Sequence, residues 1–381
     1  MPVTNCRYFN GYKPCSKSVS CSSDCSLMDV IQESVLIVHL GALGAVVRST
    51  SLLGAIRQKH PKAKIIWLTE KLALPLLQNH PDLDLVVAAD HDGWLSLQSY
   101  DFSNAYVIDK SLKASGLVSS LKVKNILGFK ALNGVILPAT PAAEELWNLG
   151  LNNFEKFFVN QKPETQLIAE ALELNYHRNK YQIPLTVEEK KIAETRRHKW
   201  GESDKKWVIG INTGCSPVIP YKKLTVDFQK KIVRSLSARP DVKVVLLGGP
   251  EDTQRNKEIA DGLAVISSET ESGLRDGLIS VAACDIVITG DSLGMHMAIS
   301  QQKWVVAWFG PTCAQEIDLF DCGVKVISSA ECAPCWKRSC QKSSMCYDQV
   351  SFQEIISGVE KGIQFWQQMS LSKQPFSEIS F

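Results

Sequence analysis

The chain has 381 residues, too many for one ordinary hydrophobic core, so its length predicts two domains of roughly 150 residues each. Its 45% hydrophobic and 22% charged residues are those of a globular protein, and a formal charge of +2 argues against a strongly basic, phosphate-tracking surface, so no nucleic-acid partner is expected. No apolar run reaches the roughly 18–20 residues of a membrane span, and the first residues lack the apolar centre of a secretory signal. The expected location is therefore the cytoplasm.

Residues 1–30 are polar, rich in Ser and Cys, and carry no helical or strand period, which predicts an extension in front of the fold. Ser34–Leu40 (SVLIVHL) is a nearly continuous apolar run leading into a glycine turn, the pattern of a buried parallel strand, and Val46–Gln58 follows at helical spacing. Strand-like runs recur at Lys64–Thr69, Leu83–Ala88, Ala105–Ile108 and Asn125–Gly128. This β-α-β alternation predicts a parallel sheet with right-handed crossovers over residues 31–190. The middle of the chain is helical and polar, and Glu188–His198 is expected to be a solvated helix bridging the domains. A second alternation runs through Trp207–Asn212, Val242–Leu247, Ile286–Thr289 and Trp304–Phe309, predicting a second α/β domain over 200–350. In the last segment, 351–381, Phe352–Gln368 is an amphipathic helix able to pack back across the first domain.

Glycine-bearing turns at strand ends are the candidate binding elements. Gly41-Ala42-Leu43-Gly44 lacks the spacing of a dinucleotide fingerprint, so the dehydrogenase reading is weak. Gly290-Asp291-Ser292-Leu293-Gly294-Met295-His296 runs from a buried strand into a helix. There Asp291 or Ser292 is placed to cap, Gly294 permits close backbone approach, and His296 lies one turn in. Asn212-Thr213-Gly214-Cys215-Ser216, Gly248-Gly249-Pro250-Glu251 and Phe309-Gly310-Pro311-Thr312 share the carboxyl edge of the same predicted sheet. Four such turns suit a nucleotide-diphosphate pocket.

Six motifs together make the chain resemble glycosyltransferase family 9, the ADP-heptose:lipopolysaccharide heptosyltransferases, from about Ser34 to Lys361. They are VLIVHLGALGAVVRSTSLL (Val35–Leu53), GINTGCS (Gly210–Ser216), YKKLTVDF (Tyr221–Phe228), LLGGPED (Leu246–Asp252), GDSLGMHMA (Gly290–Ala298) and WFGPT (Trp308–Thr312). The resemblance implies an α/β GT-B fold, two Rossmann-like domains facing across a cleft, with the cysteine-rich extension in front. It also implies an ADP-heptose donor on the C-terminal domain, an acceptor on the N-terminal domain, and inversion without a catalytic metal. By position it assigns Asp291, Ser292, Gly294 and His296 to the donor's phosphates and sugar, and Thr213 and Ser216 to the neighbourhood of the diphosphate. Lys222, or its neighbour Lys223, would neutralise the leaving diphosphate, and Glu251 would grip the ribose.

One position departs from the pattern. Where the family carries an aspartate after the turn glycine, as general base toward the acceptor hydroxyl, this chain has Ala45, which cannot accept a proton. Asp109, after the strand Ala105–Ile108, is the preferred substitute, with a helix cap before Ser111–Leu121 as its structural alternative; His39 is second. The acceptor that the resemblance implies is a lipopolysaccharide core or related surface glycan, with peripheral contact at the inner membrane allowed in that setting. The alternatives are a protein hydroxyl, as in autotransporter-modifying relatives, or no transfer at all, in a sugar-nucleotide-binding scaffold.

Eight of the 12 cysteines form two clusters: Cys6, Cys15, Cys21, Cys25 and Cys332, Cys335, Cys340, Cys346. In a reducing compartment such clusters point to a metal rather than disulfides, with zinc the default and iron the alternative. Four thiolates leave no open coordination position, so such sites would be structural.

Overall fold

The computed structural model describes residues 5–201 and 206–372. The chain divides into two compact units: Met1–Lys156 with Glu164–Asn179, and Phe157–Pro163 with Lys180–Phe381.

The first unit holds six strands, β1 (Glu33–Val38), β2 (Ala63–Thr69), β3 (Leu85–Ala88), β4 (Asp101–Val107), β5 (Lys122–Leu132) and β6 (Val135–Pro138). They are ordered β3-β2-β1-β4-β5-β6 and are parallel except for the β5–β6 pair. Burial on both faces explains why β1 reads as an unbroken apolar run. Val35 and Ile37 enter one core with Ile65 and Trp67, while Leu36 and Val38 enter the other with Ile66 and Leu68. Chain order reverses about β1, so the ends of β1 and β4 form the crevice where open α/β sheets take ligands. The antiparallel β6 was not anticipated, although its turn is Asn133-Gly134 with both φ angles positive, at 50° and 76°.

The extension lies against the opposite edge of this sheet. A bridge pairs Cys6 with Val30, and the Arg7 guanidinium donates to the Ala63 carbonyl and to both oxygens of Asp84, at the amino ends of β2 and β3. Asp84 also pairs with Arg57, so one half-buried carboxylate ties the segment down.

The second unit repeats the scheme with β7 (Trp207–Asn212), β8 (Val242–Leu247), β9 (Ile266–Ser267), β10 (Ile286–Gly290), β11 (Trp304–Phe309) and β12 (Gly323–Ile327). The sheet is fully parallel, ordered β12-β11-β10-β7-β8-β9, with its switch between β7 and β10. The helix Phe352–Ser372 buries Ile355, Val359 and Ile363 in this unit's core. Gly358 and Gly362 let it close on β11: a Cβ at Gly362 would lie 2.4 Å from Trp304, whose indole N–H donates to the Gly358 carbonyl. The charged helix Val187–Gly201 also belongs to this unit, held by Arg196–Asp276 (2.7 Å) and Arg197–Asp285 (2.8 Å) pairs. No helix among the described residues is long and apolar enough to cross a membrane.

Candidate functional site

In the second unit, four loops converge at the carboxyl ends of β7, β8, β10 and β11. Asn212, the last residue of β7, is their hub: its amide N–H₂ donates to the Gly214 carbonyl (3.0 Å), Thr289 Oγ1 (3.2 Å) and Ser292 Oγ (3.0 Å). Gly294 is required beside it, since a Cβ there would lie 2.6 Å from the Asn212 amide. Ser292 occupies the N-cap position of the helix Leu293–Ser300 but makes no side-chain capping bond; its hydroxyl instead accepts from Asn212 and meets Thr289 Oγ1 at 3.3 Å. That helix therefore begins with backbone N–H groups unclaimed by a side-chain cap, an arrangement suited to an anion.

Charge gathers at the same end. Lys222 Nζ stands 3.6 Å from Asp291 Oδ2, and His296 Nε2 stands 3.9 Å from Asp291 Oδ1. All three side chains are at most 15% exposed. The lysine's turn, Pro220–Lys222, packs on β10 so closely that a Cβ at Gly290 would lie 2.1 Å from the Lys222 carbonyl oxygen. Thus Lys222, Asp291, Ser292, Gly294 and His296 lie together at the start of this helix.

The other predicted donor residues sit differently. Thr213 is fully buried, and its hydroxyl lies within hydrogen-bonding distance of the Leu247 carbonyl (3.1 Å) and of Asn256 Oδ1 (2.5 Å). Its side chain is therefore internal framework. Ser216 is exposed and accepts the Val218 amide, and Glu251 is exposed with its carboxylate folded over Gly249. Sequence inspection missed Asp252, which is buried, accepts the Gly249 amide (3.1 Å), and presses on Gly214 and Gly248 so tightly that neither position admits a Cβ. Burial raises its carboxyl pKa above the ordinary range. It also missed Asn212 and Thr312; the Thr312 hydroxyl is buried with no hydrogen-bond partner among the described residues. The signal was available, for all three lie inside motifs already singled out.

In the first unit, Asp109 accepts the backbone N–H of Leu40 in a short hydrogen bond that joins the ends of β4 and β1. It does not cap the following helix: Ser111 does, accepting from the Ala114 amide. Burial lifts the Asp109 pKa to about 6, against the opposing effects of the Leu40 N–H and Lys110. His39 is buried, and desolvation, with Arg48 and Lys110 adding to it, pushes its pKa down to about 3. Nearby, Glu164 pairs with Arg48 at 2.5 Å, and although burial opposes it the carboxyl pKa stays lowered because Arg48, Lys110 and Lys156 favour the charge. Among these groups only Asp109 combines ionisation at neutral pH with appreciable basicity.

A sequence model of Glycosyltransferase family 9 (heptosyltransferase) matches residues 93–345. The chain belongs to this family. Lipopolysaccharide heptosyltransferase 2 of Escherichia coli is 21% identical over 306 residues, covering 73% of this chain and 83% of that protein. Among solved structures, a glycosyl transferase family 9 protein from Veillonella parvula superposes with a TM-score of 0.69 at 17% identity, covering 89% of this chain and 99% of that one. The iron-containing dodecameric glycosyltransferase TibC from enterotoxigenic E. coli superposes at 0.52 with 9% identity, covering 88% and 77%. These likenesses establish the GT-B fold, built from the two α/β units described above. Within the glycosyltransferase family 9 fold, Ala45 lies in the first helix, Leu43–Ser49, and offers no ionisable group.

The cysteine clusters add no ready-made metal centre. Among the described residues, no group of three or more His, Cys, Asp or Glu side chains is disposed to hold a metal ion. Cys6, Cys15, Cys21 and Cys25 are half-buried in the irregular extension. In the second cluster, burial, then the neighbouring Cys335, Cys332 and Cys340, push the Cys346 thiol up to about 11. A metal ion would reverse that shift by favouring the thiolates.

Proposed function

We propose that this glycosyltransferase moves a heptose from ADP-heptose to a lipopolysaccharide core or related surface glycan, with inversion, on the cytoplasmic side of the inner membrane. The observation that carries this is the joining of Lys222, Asp291 and His296 at the start of the helix Leu293–Ser300, with no side-chain cap in the way. Such an end favours a diphosphate. Asp109 serves as general base: its carboxylate takes the acceptor hydroxyl proton while the acceptor oxygen bonds to the anomeric carbon. The bond from that carbon to the β-phosphate oxygen breaks, and ADP departs with the electron pair. Lys222 and the helix N–H groups stabilise the charge where it develops. His39, with a pKa near 3, is too weak a base for this step.

Donor choice tests the proposal without an acceptor. Calorimetry should find ADP-heptose bound at least about tenfold more tightly than UDP-glucose; equal binding contradicts the ADP-sugar assignment.

The second cysteine cluster is proposed to take a structural zinc or iron ion through Cys332, Cys335, Cys340 and Cys346. Support comes from the spacing of the four cysteines within one loop, opening with Cys332-x2-Cys335, and from the all-sulfur donor set, which suits both metals. The ion would brace the loop and take no part in transfer. Elemental analysis of purified protein should return about one ion per chain, lost in Cys335→Ser. Metal-free protein with a normal thermal midpoint contradicts the assignment.

A further inference from the structure

The loop carrying Cys332–Cys346 is built onto the donor-site turns themselves. The backbone N–H groups of Cys335 and Trp336 donate to the Pro311 carbonyl at 3.1 and 2.8 Å, and the Trp336 indole N–H donates to Cys313 Sγ at 3.3 Å. Cys346 lies over Gly310, where a Cβ would come 2.9 Å from its sulfur. A further contact reaches the lysine's turn: the Cys340 backbone N–H donates to the Tyr221 hydroxyl at 3.0 Å, across 119 residues of sequence.

Tyr221 immediately precedes Lys222 in the short turn Pro220–Lys222. One side of that turn is fixed by β10 at Gly290 and by Cys215, whose thiol points at the Ile219 and Pro220 carbonyls. The other side is fixed by Tyr221. A lysine ammonium on a four-carbon stem has many rotamers, so its turn must be held if the charge is to meet one oxygen of a ligand.

We infer that Tyr221 is a positioning residue for Lys222, its hydroxyl anchoring the lysine's turn to the cysteine loop. The inference rests on the assignment of Lys222 to the donor diphosphate, and it gives the cysteine loop a task in donor binding beyond stability.

The test uses ADP and AMP as probes with the full-length chain, because only ADP carries the phosphate that Lys222 would meet. Calorimetry is run on wild type, Tyr221→Phe, Lys222→Ala and the double variant. Tyr221→Phe should weaken ADP about fivefold, the effect of one neutral hydrogen bond, and leave AMP affinity unchanged. Lys222→Ala should weaken ADP by about tenfold or more and erase the preference over AMP. In the Lys222→Ala background, Tyr221→Phe should then cost nothing further, since coupled residues are not additive. Equal losses in both backgrounds, or equal losses for ADP and AMP, overturn the positioning role while the donor assignment stands. A Lys222→Ala variant that keeps wild-type preference for ADP overturns the donor assignment of Lys222, and the positioning role with it.

Discussion

Asp109→Asn is expected to lower kcat by about a hundred- to ten-thousand-fold, the range for losing a positioned general base. The pH dependence should carry its signature. Burial penalises the Asp109 carboxylate, so its proton is held up to about pH 6; kcat/KM should rise through that pH and level off above it. The Asn variant should lose this limb. Stability separates a catalytic role from a structural one. The folded protein holds the Asp109 proton more tightly than the unfolded chain, so its contribution to stability is full below about pH 4 and is lost as pH rises through 6. Asparagine has no proton to lose, so at pH 7 the variant should melt at the wild-type temperature or above it. A variant that is inactive and also melts early would instead indicate that the Leu40–Asp109 tie is mainly structural.

The second large effect is expected at Lys222. Lys222→Met should reduce kcat by about a hundred- to a thousand-fold, as for removal of a preorganised group at a developing negative charge. Part of this loss is electrostatic exposure rather than a missing contact. Asp291 stands 3.6 Å from the ammonium and is only 14% exposed, so without the lysine it would face the diphosphate as an unscreened negative charge. Adding Asp291→Asn to Lys222→Met should therefore recover some donor affinity, although not kcat. A simple sum of the two single losses would show that the pair does not act on one ligand charge.

Much of the fold was legible because the strands are buried on both faces. Runs such as Val35–Val38 and Ile286–Thr289 have no exposed positions to interrupt them. The unanticipated strands are those lacking this constraint. β12 is half exposed, β9 has two residues, and β6 sits at an edge, where an Asn-Gly turn was the only marker. The C-terminal helix showed an apolar face but not its partner. The destination was set by Gly358 and Gly362, which admit it to Val306 and Trp304, a fit visible only in three dimensions.

The donor residues were legible because motifs concentrate them, but motif membership did not assign their tasks. Thr213 and Asn212 are adjacent, yet Thr213 turns inward to Asn256 and Asn212 binds the glycine turns together. Asp252 does the framework work expected of no residue in its turn, while neighbouring Glu251 remains at the surface. The acceptor side was hardest to read. Ala45 removed the expected base, and the character of Asp109 depends on burial that has no sequence signature.

The most direct test is transfer itself: ADP-heptose and heptose-deficient lipopolysaccharide are incubated with wild-type and Asp109→Asn protein, and the lipid product is weighed by mass spectrometry. Wild type should add one heptose per acceptor with stoichiometric ADP release, and the variant almost none. Wild-type protein that binds ADP-heptose tightly but leaves both donor and acceptor unchanged would contradict the assignment as a heptosyltransferase acting on this acceptor.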